Sequence, residues 1–205
     1  CSTAGEMGLN DTGLILEIVD RVVANHSVDE SRVYLTGWSN GCSLSQKLAN
    51  DHSDVFAAVA CMSYYLLEDP SPDYSPIPIM EIHGLEDQII LYSNDAIHLP
   101  NMDAQKHGAI QNLQQWGNMN GCGDKAPDSN SPSVFYSVQS FTDCDNGTEV
   151  SLVTLYAADH NPYEEGHEVF PGNGGTVDTN GIAWEFLSRF SKDVGLNGTS
   201  SSTTA

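Results

Sequence analysis

Basic residues are scarce in this chain: 7 Lys and Arg stand against 28 Asp and Glu in 205 residues, a formal charge of −21. So large an acidic excess repels phosphate, which argues against nucleic acid and anionic membranes as partners. The acidic residues are spread along the chain rather than run in blocks, so they read as a solvated surface. Long apolar runs are missing too, none approaching the ~20 residues of a membrane span. No CxxC pair and no Cys/His cluster of zinc spacing occurs, so no metal and no cofactor is expected. No internal repeat is visible. No signal-peptide pattern opens the chain, whose start is read as mature or incomplete.

What is present suits one globular domain: the hydrophobic content is 40% and the length allows a sizeable core. The 5 cysteines accompany Asn-x-Ser/Thr sequons at Asn10, Asn25, Asn146 and Asn197. Together they favour a secreted, extracellular glycoprotein. An odd count leaves one cysteine over, and Cys1 is the natural one, expected to pair outside the chain. Beyond Gly195 the Asn-Gly-Thr-Ser-Ser-Ser-Thr-Thr run has nothing to bury, so residues 194–205 read as a flexible tail or linker.

The chain is organised around Arg32-Val33-Tyr34-Leu35-Thr36-Gly37-Trp38-Ser39-Asn40-Gly41-Cys42-Ser43-Leu44. A β-branched and aromatic run ends on Gly-x-Ser-x-Gly, and a helix-like segment follows. The bare pentapeptide is a weak signal and reads equally as a glycine-rich turn whose serine caps the helix. Strand, sharp turn and helix together make it a nucleophile elbow, with Ser39 Oγ projecting above the sheet edge. Gly37 and Gly41 are expected where a Cβ would collide with the neighbouring strand or helix. The Asn40 N–H is the candidate oxyanion donor.

Leu14, Ile15, Ile18, Val19, Val22 and Val23 form an apolar stripe at helical spacing, capped by Asn10 or Asp11. Strands are expected at Phe56–Cys61, Ile77–His83 and Val150–Tyr156. Helices are expected after the elbow, before Asn120 (with Ile110, Leu113, Trp116 and Met119 on one side) and around Ile182–Phe190, where Trp184 falls to another side. Residues 122–147 read as polar loop. Strands separated by helices indicate a parallel sheet with right-handed crossovers.

A serine hydroxyl needs a base, and the base needs an acid to orient it. In such a sheet these groups sit on loops at the carboxyl ends of strands. Gly84-Leu85-Glu86-Asp87 follows one strand and Ala157-Ala158-Asp159-His160 another, so Ser39, Asp87 and His160 are the candidates. Glu86 and Asp95 compete with Asp87. His167 competes with His160 as an alternative base, while His83 ends its strand and is expected to pack or bond locally.

The chain resembles the secreted polyhydroxybutyrate-depolymerase and feruloyl-esterase group of α/β-hydrolases over most of residues 10–190. The matching stretches include Asn10–Leu14, Asp29–Gly41, Phe56–Ala60, Pro78–Asp87, Trp116–Cys122 and Ile182–Phe186. The resemblance implies an α/β-hydrolase-type, mostly parallel sheet flanked by helices. It also implies Ser39 as nucleophile, Asp87 as acid and His160 as base. The group often carries Gly-His-x-Trp-Pro-Gly around its histidine; here Asp159-His160-Asn161-Pro162-Tyr163 stands instead, and Gly166–Gly172 echoes the pattern around His167. The resemblance further implies a Cys122–Cys144 disulfide. Cys42 opens the elbow helix and Cys61 ends the next strand, so a second bridge there is geometrically reasonable.

The fold normally places strands and an oxyanion-hole loop ahead of the first helix of this chain. Residues 1–193 are therefore expected to be the carboxyl-terminal portion of a catalytic domain, with a second oxyanion donor and the partner of Cys1 in a missing amino-terminal segment. The implied activity is that of a serine esterase acting on feruloyl or acetyl groups of polysaccharide or on hydroxyalkanoate polyester. Trp38, Tyr64, Tyr65 and Tyr163 are candidate pocket aromatics. The rival reading is a non-catalytic extracellular glycoprotein using the scaffold as a structural or binding subunit; carbohydrate binding without chemistry is a third.

Overall fold

The computed structural model describes residues 7–93, 108–123, 126–160 and 177–192. Its elements run α1 (Asp11–Asn25), β1 (Tyr34–Trp38), α2 (Asn40–Asp51), β2 (Ala58–Met62), β3 (Ile79–Gly84) and α3 (Ala109–Met119). Then follow β4 (Ser129–Pro132), β5 (Tyr136–Phe141), β6 (Val150–Leu155) and α4 (Thr179–Leu187). Among the described residues the strands form one sheet in the order β1-β2-β3-β6-β5-β4. The four strands β1, β2, β3 and β6 run parallel, while β5 and β4 run antiparallel.

Period-two alternation divides the central strands between two cores. Leu35, Val59, Cys61, Ile79 and Leu152 face α2 and α3, meeting Leu48, Leu113 and Trp116. Ala60, Met62, Met80, Ile82, Val153 and Leu155 face α4, meeting Ala183, Phe186 and Leu187. Because β2, β3 and β6 are covered on both sides, they read in sequence as continuous apolar runs. The parallel register brings Trp38 level with Met62, and His83 and Gly84 level with Thr154 and Leu155. The loops that leave β1, β3 and β6 therefore emerge along one edge.

Two expectations need correction here. Residues 122–147 are not all loop: β4 and β5 make a hairpin that pairs through β5 with β6, Ser140 standing opposite Ser151 with their hydroxyls 2.8 Å apart. The strand bonds come from the neighbour rather than from any strong local pattern, since β4 is only Ser-Asn-Ser-Pro and largely exposed. The stripe on α1 is also divided. Ile15, Leu16 and Val19 pack against the first core, whereas Leu14, Ile18 and Val22 remain 56%, 47% and 43% exposed. The apolar arc is wider than the contact the helix makes. Asn10 caps this helix, its Oδ1 accepting from Gly13 N at 2.9 Å.

Two disulfides tie the frame. Cys42–Cys61 joins the first turn of α2 to β2. Cys122–Cys144 closes a segment with a sequence separation of 22, joining the end of α3 to the turn before β6. A loop of that size corresponds to about 3 kcal/mol of lost unfolded-state entropy. The sequon residues Asn10, Asn25 and Asn146 are exposed. Cys1, Asn197 and the 194–205 tail lie outside the described residues. No helix among the described residues is long and apolar enough to cross a membrane.

Candidate active site

Ser39 joins β1 to α2 with φ 54° and ψ −120°, a positive φ that non-glycine residues seldom adopt and that strained turns impose. The turn is held by Ser39 N donating to Met62 O at 2.8 Å and by Ser43 N donating to Ser39 O at 3.0 Å. Ser39 occupies the N-cap position yet makes no side-chain cap bond. The hydroxyl is thus not a helix cap. Its Oγ lies 2.9 Å from His160 Nε2.

The two glycines of the pentapeptide differ. A Cβ on Gly37 would fall 2.4 Å from the carbonyl carbon of Gly41 and 2.5 Å from its oxygen, so α2 leaves the strand at a distance only glycine permits. A Cβ on Gly41 would meet nothing within 4 Å. The expectation of a collision at Gly41 is therefore wrong; the crowding is all at Gly37. Asn40, the candidate oxyanion donor, is the first residue of α2, so its N–H belongs to the electropositive first turn.

The loop after β3 supplies Asp87, which is 2% exposed. Its Oδ2 lies 2.8 Å from His160 Nδ1, while Oδ1 accepts from the amides of Ile89 and Ile90 at 2.8 and 2.9 Å. Burial alone would raise the carboxyl, but the bonds from His83 and His160 and the two amides outweigh it and hold Asp87 below the ordinary carboxylate range. Glu86 is exposed and ties this loop to the next through its N–H, which donates to Ala158 O at 3.0 Å. His160 thus bridges Ser39 and Asp87. Such a relay lets a neutral imidazole take a hydroxyl proton while a carboxylate fixes its tautomer. Asp95 and His167 lie outside the described residues.

Trp38 contributes in a way its candidacy as a pocket aromatic did not foresee. Its Nε1 donates to the backbone oxygen of His160 at 3.0 Å, and its ring lies 5.3 Å from the imidazole. The residue before the serine therefore clamps the loop that carries the histidine. Tyr64 is half-buried on the first core. Tyr65 is buried, its hydroxyl donating to Leu91 O, so it is no open wall. Tyr163 lies outside the described residues.

Behind Asp87, His83 bonds locally as expected of a histidine at a strand end, though its partner Glu81 was not foreseen. His83 Nδ1 is 2.6 Å from Glu81 Oε1 and its Nε2 is 2.7 Å from Ile90 O. Burial would depress the imidazole, but its bonds to Asp87 and Glu81 prevail and raise it to about 9. Burial likewise raises Glu81. Among the described residues no cluster of His, Cys, Asp and Glu is arranged to hold a metal ion.

With fold and geometry in place, comparison with known proteins is decisive for family. The family model Esterase PHB depolymerase matches residues 2–145. The chain belongs to that family. It is 23% identical to feruloyl esterase B of Piromyces equi over 189 residues, covering 89% of this chain and 32% of that protein. It is 24% identical to the bifunctional acetylxylan esterase/xylanase of Neocallimastix patriciarum over 192 residues, covering 94% of this chain and 25% of that protein. The chain thus spans a third or less of the length of these curated relatives. Acetyl xylan esterase from Aspergillus awamori shares the α/β-hydrolase-type fold, with a TM-score of 0.60 and 15% identity over 86% of this chain and 66% of that one.

Two outcomes follow from this geometry. Gly37→Ala should cost more than about 3 kcal/mol or prevent folding, since backbone rather than side chain must move, whereas Gly41→Ala should leave stability unchanged or raise it by up to about 1 kcal/mol; chemical denaturation of both variants compares them. The second concerns pH. A group raised in the folded state contributes stability that is complete below its unfolded value and lost as pH climbs through its folded value. For His83 that window runs from 6.5 to about 9, so the melting temperature should fall across it. His83→Gln should flatten this slope in melts at constant ionic strength.

Proposed function

We propose that the chain is a carboxylic ester hydrolase working through an acyl-enzyme. The observation that carries this reading is His160 standing within hydrogen-bond distance of Ser39 Oγ on one side and of Asp87 Oδ2 on the other. With Nδ1–H donated to Asp87, Nε2 keeps its lone pair and accepts the hydroxyl proton as Ser39 Oγ attacks the ester carbonyl. The tetrahedral oxyanion forms beside the Asn40 N–H at the start of α2. Imidazolium at 160 then protonates the departing alkoxide. Water, deprotonated by the same ring, attacks the acyl-serine and releases the acid. No step calls for a metal or cofactor.

Membership of the Esterase PHB depolymerase family and similarity to a feruloyl esterase and an acetylxylan esterase/xylanase support ester substrates. Feruloyl or acetyl groups on polysaccharide, or hydroxyalkanoate polyester, are the substrates of choice. Two disulfides and exposed sequon asparagines support secretion into an oxidising, extracellular setting.

Ser39→Ala should lower p-nitrophenyl-acetate turnover by about 10⁴-fold or more without lowering the melting temperature. A fluorophosphonate probe should label wild-type protein at Ser39 and leave the variant unlabelled. Undiminished turnover in the variant places the nucleophile elsewhere; wild-type protein that neither turns over ester nor labels is a binding or structural subunit on a hydrolase scaffold.

A further inference from the structure

Glu81 and His83 have no step in the mechanism above, yet they occupy the most protected polar position beside it. They lie two residues apart on β3, so they share a face of the sheet, and they are 2% and 0% exposed. Glu81 Oε2 accepts from Asn112 Nδ2 at 2.6 Å, and Asn112 Oδ1 accepts from Leu66 N at 3.0 Å. Tyr65 stacks on the His83 ring at 5.8 Å between centroids, and Tyr92 meets it edge-on at 5.7 Å. Among the described residues the ionisable groups that face His83 are thus Glu81, Asp87 and these two phenols. His83 Nε2 is 3.4 Å from Asp87 Oδ2, the same oxygen that His160 engages.

Donor and acceptor rules fix the proton on one His83 nitrogen and require another between the ring and Glu81. The oxygen of Ile90 can only accept, so the His83 nitrogen 2.7 Å away carries a hydrogen. The Nδ1 to Glu81 Oε1 separation of 2.6 Å also demands a proton, since two lone pairs do not approach so closely. That proton belongs either to the ring, with Glu81 as counter-charge on the side away from Asp87, or to a Glu81 carboxyl donating to a neutral ring; the ionic arrangement is the one proposed below.

We propose that His83, kept protonated by Glu81, is a positioning residue for ester hydrolysis: it holds Asp87 and the 87–90 turn, and it tempers the negative charge that Asp87 presents to His160. This rests on Ser39, His160 and Asp87 acting as proposed above. With the positive neighbour gone, Asp87 would act on His160 uncompensated, His160 would hold its proton more tightly, and less of the free base would be present at neutral pH.

Glu81→Gln isolates the charge. The amide still accepts from Asn112 and donates to His83 Nδ1, so shape and hydrogen bonds persist, but the ring becomes neutral. The acid limb of kcat/KM against pH should move upward by about half a unit to one unit, with KM unchanged. Nitrogen-15 histidine spectra of the wild-type protein, which need no variant to fold, should show both His83 nitrogens protonated at pH 7. An unprotonated Nδ1 there would overturn the proposal, as would an unmoved acid limb in a folded Glu81→Gln protein whose Ser39 still labels with fluorophosphonate. Failure of the wild-type protein to label would instead strike the underlying reading of Ser39, and the positioning role with it.

Discussion

A carboxylate with 2% of its surface exposed cannot persist without donors, and Asp87 shows what that demands of a fold. Its two oxygens take amides from its own turn, one nitrogen of His160 and the nearby Nε2–H of His83. Each donor comes from a different piece of scaffold. The amides require the turn that leaves β3 to close on itself. His160 must hang from the end of β6, and His83 must sit at the end of β3. Meeting the needs of one buried charge therefore fixes the relative height of two strands and the shape of two loops.

The parallel register supplies that height. His83 lies level with Thr154 and Gly84 with Leu155, so the loops after β3 and β6 start side by side. The bonds Leu85 N to Leu155 O and Glu86 N to Ala158 O then zip the two loops together. On the other flank, Ser39 N bonds to Met62 O, and Trp38 reaches from the elbow to the carbonyl of His160. The strained serine and the imidazole are thus braced by backbone and indole bonds independent of their mutual contact. Such bracing is the preorganisation that the proposed chemistry would require.

Much of this was legible in the sequence because it follows from strand ends. Buried parallel strands announce themselves as unbroken apolar runs, and an acid and a histidine within a few residues of two such runs, Asp87 and His160, are the ones that line up behind Ser39. The β4–β5 hairpin was illegible for the opposite reason: Ser129–Pro132 has no apolar alternation, and its strand character comes from pairing with a neighbour. The α1 stripe misled because periodicity reports which residues are apolar, not how wide a surface awaits them. Gly41 misled because a motif glycine need not be crowded, while its partner Gly37 carries the whole close approach. Glu81 and His83 looked like an ordinary strand end; only the tertiary arrival of Asn112 and Ile90 makes them a closed proton-sharing pair.

That pair has a consequence for how stability and chemistry divide in this molecule. A buried ionic pair commonly gains less from mutual attraction than it loses in desolvation, and apolar residues of similar volume often hold a core at least as well. On the Glu81 face the sheet is otherwise filled by Ile79 and Leu152, both at or below 1% exposure, so the position could take an aliphatic side chain on packing grounds alone. Leaving Glu81 in place obliges the fold to surround it with Asn112 and His83, and Asn112 in turn with the Leu66 amide. A core that carries so many polar obligations within hydrogen-bond reach of the Asp87 turn is organised for electrostatics at that turn rather than for burial of area.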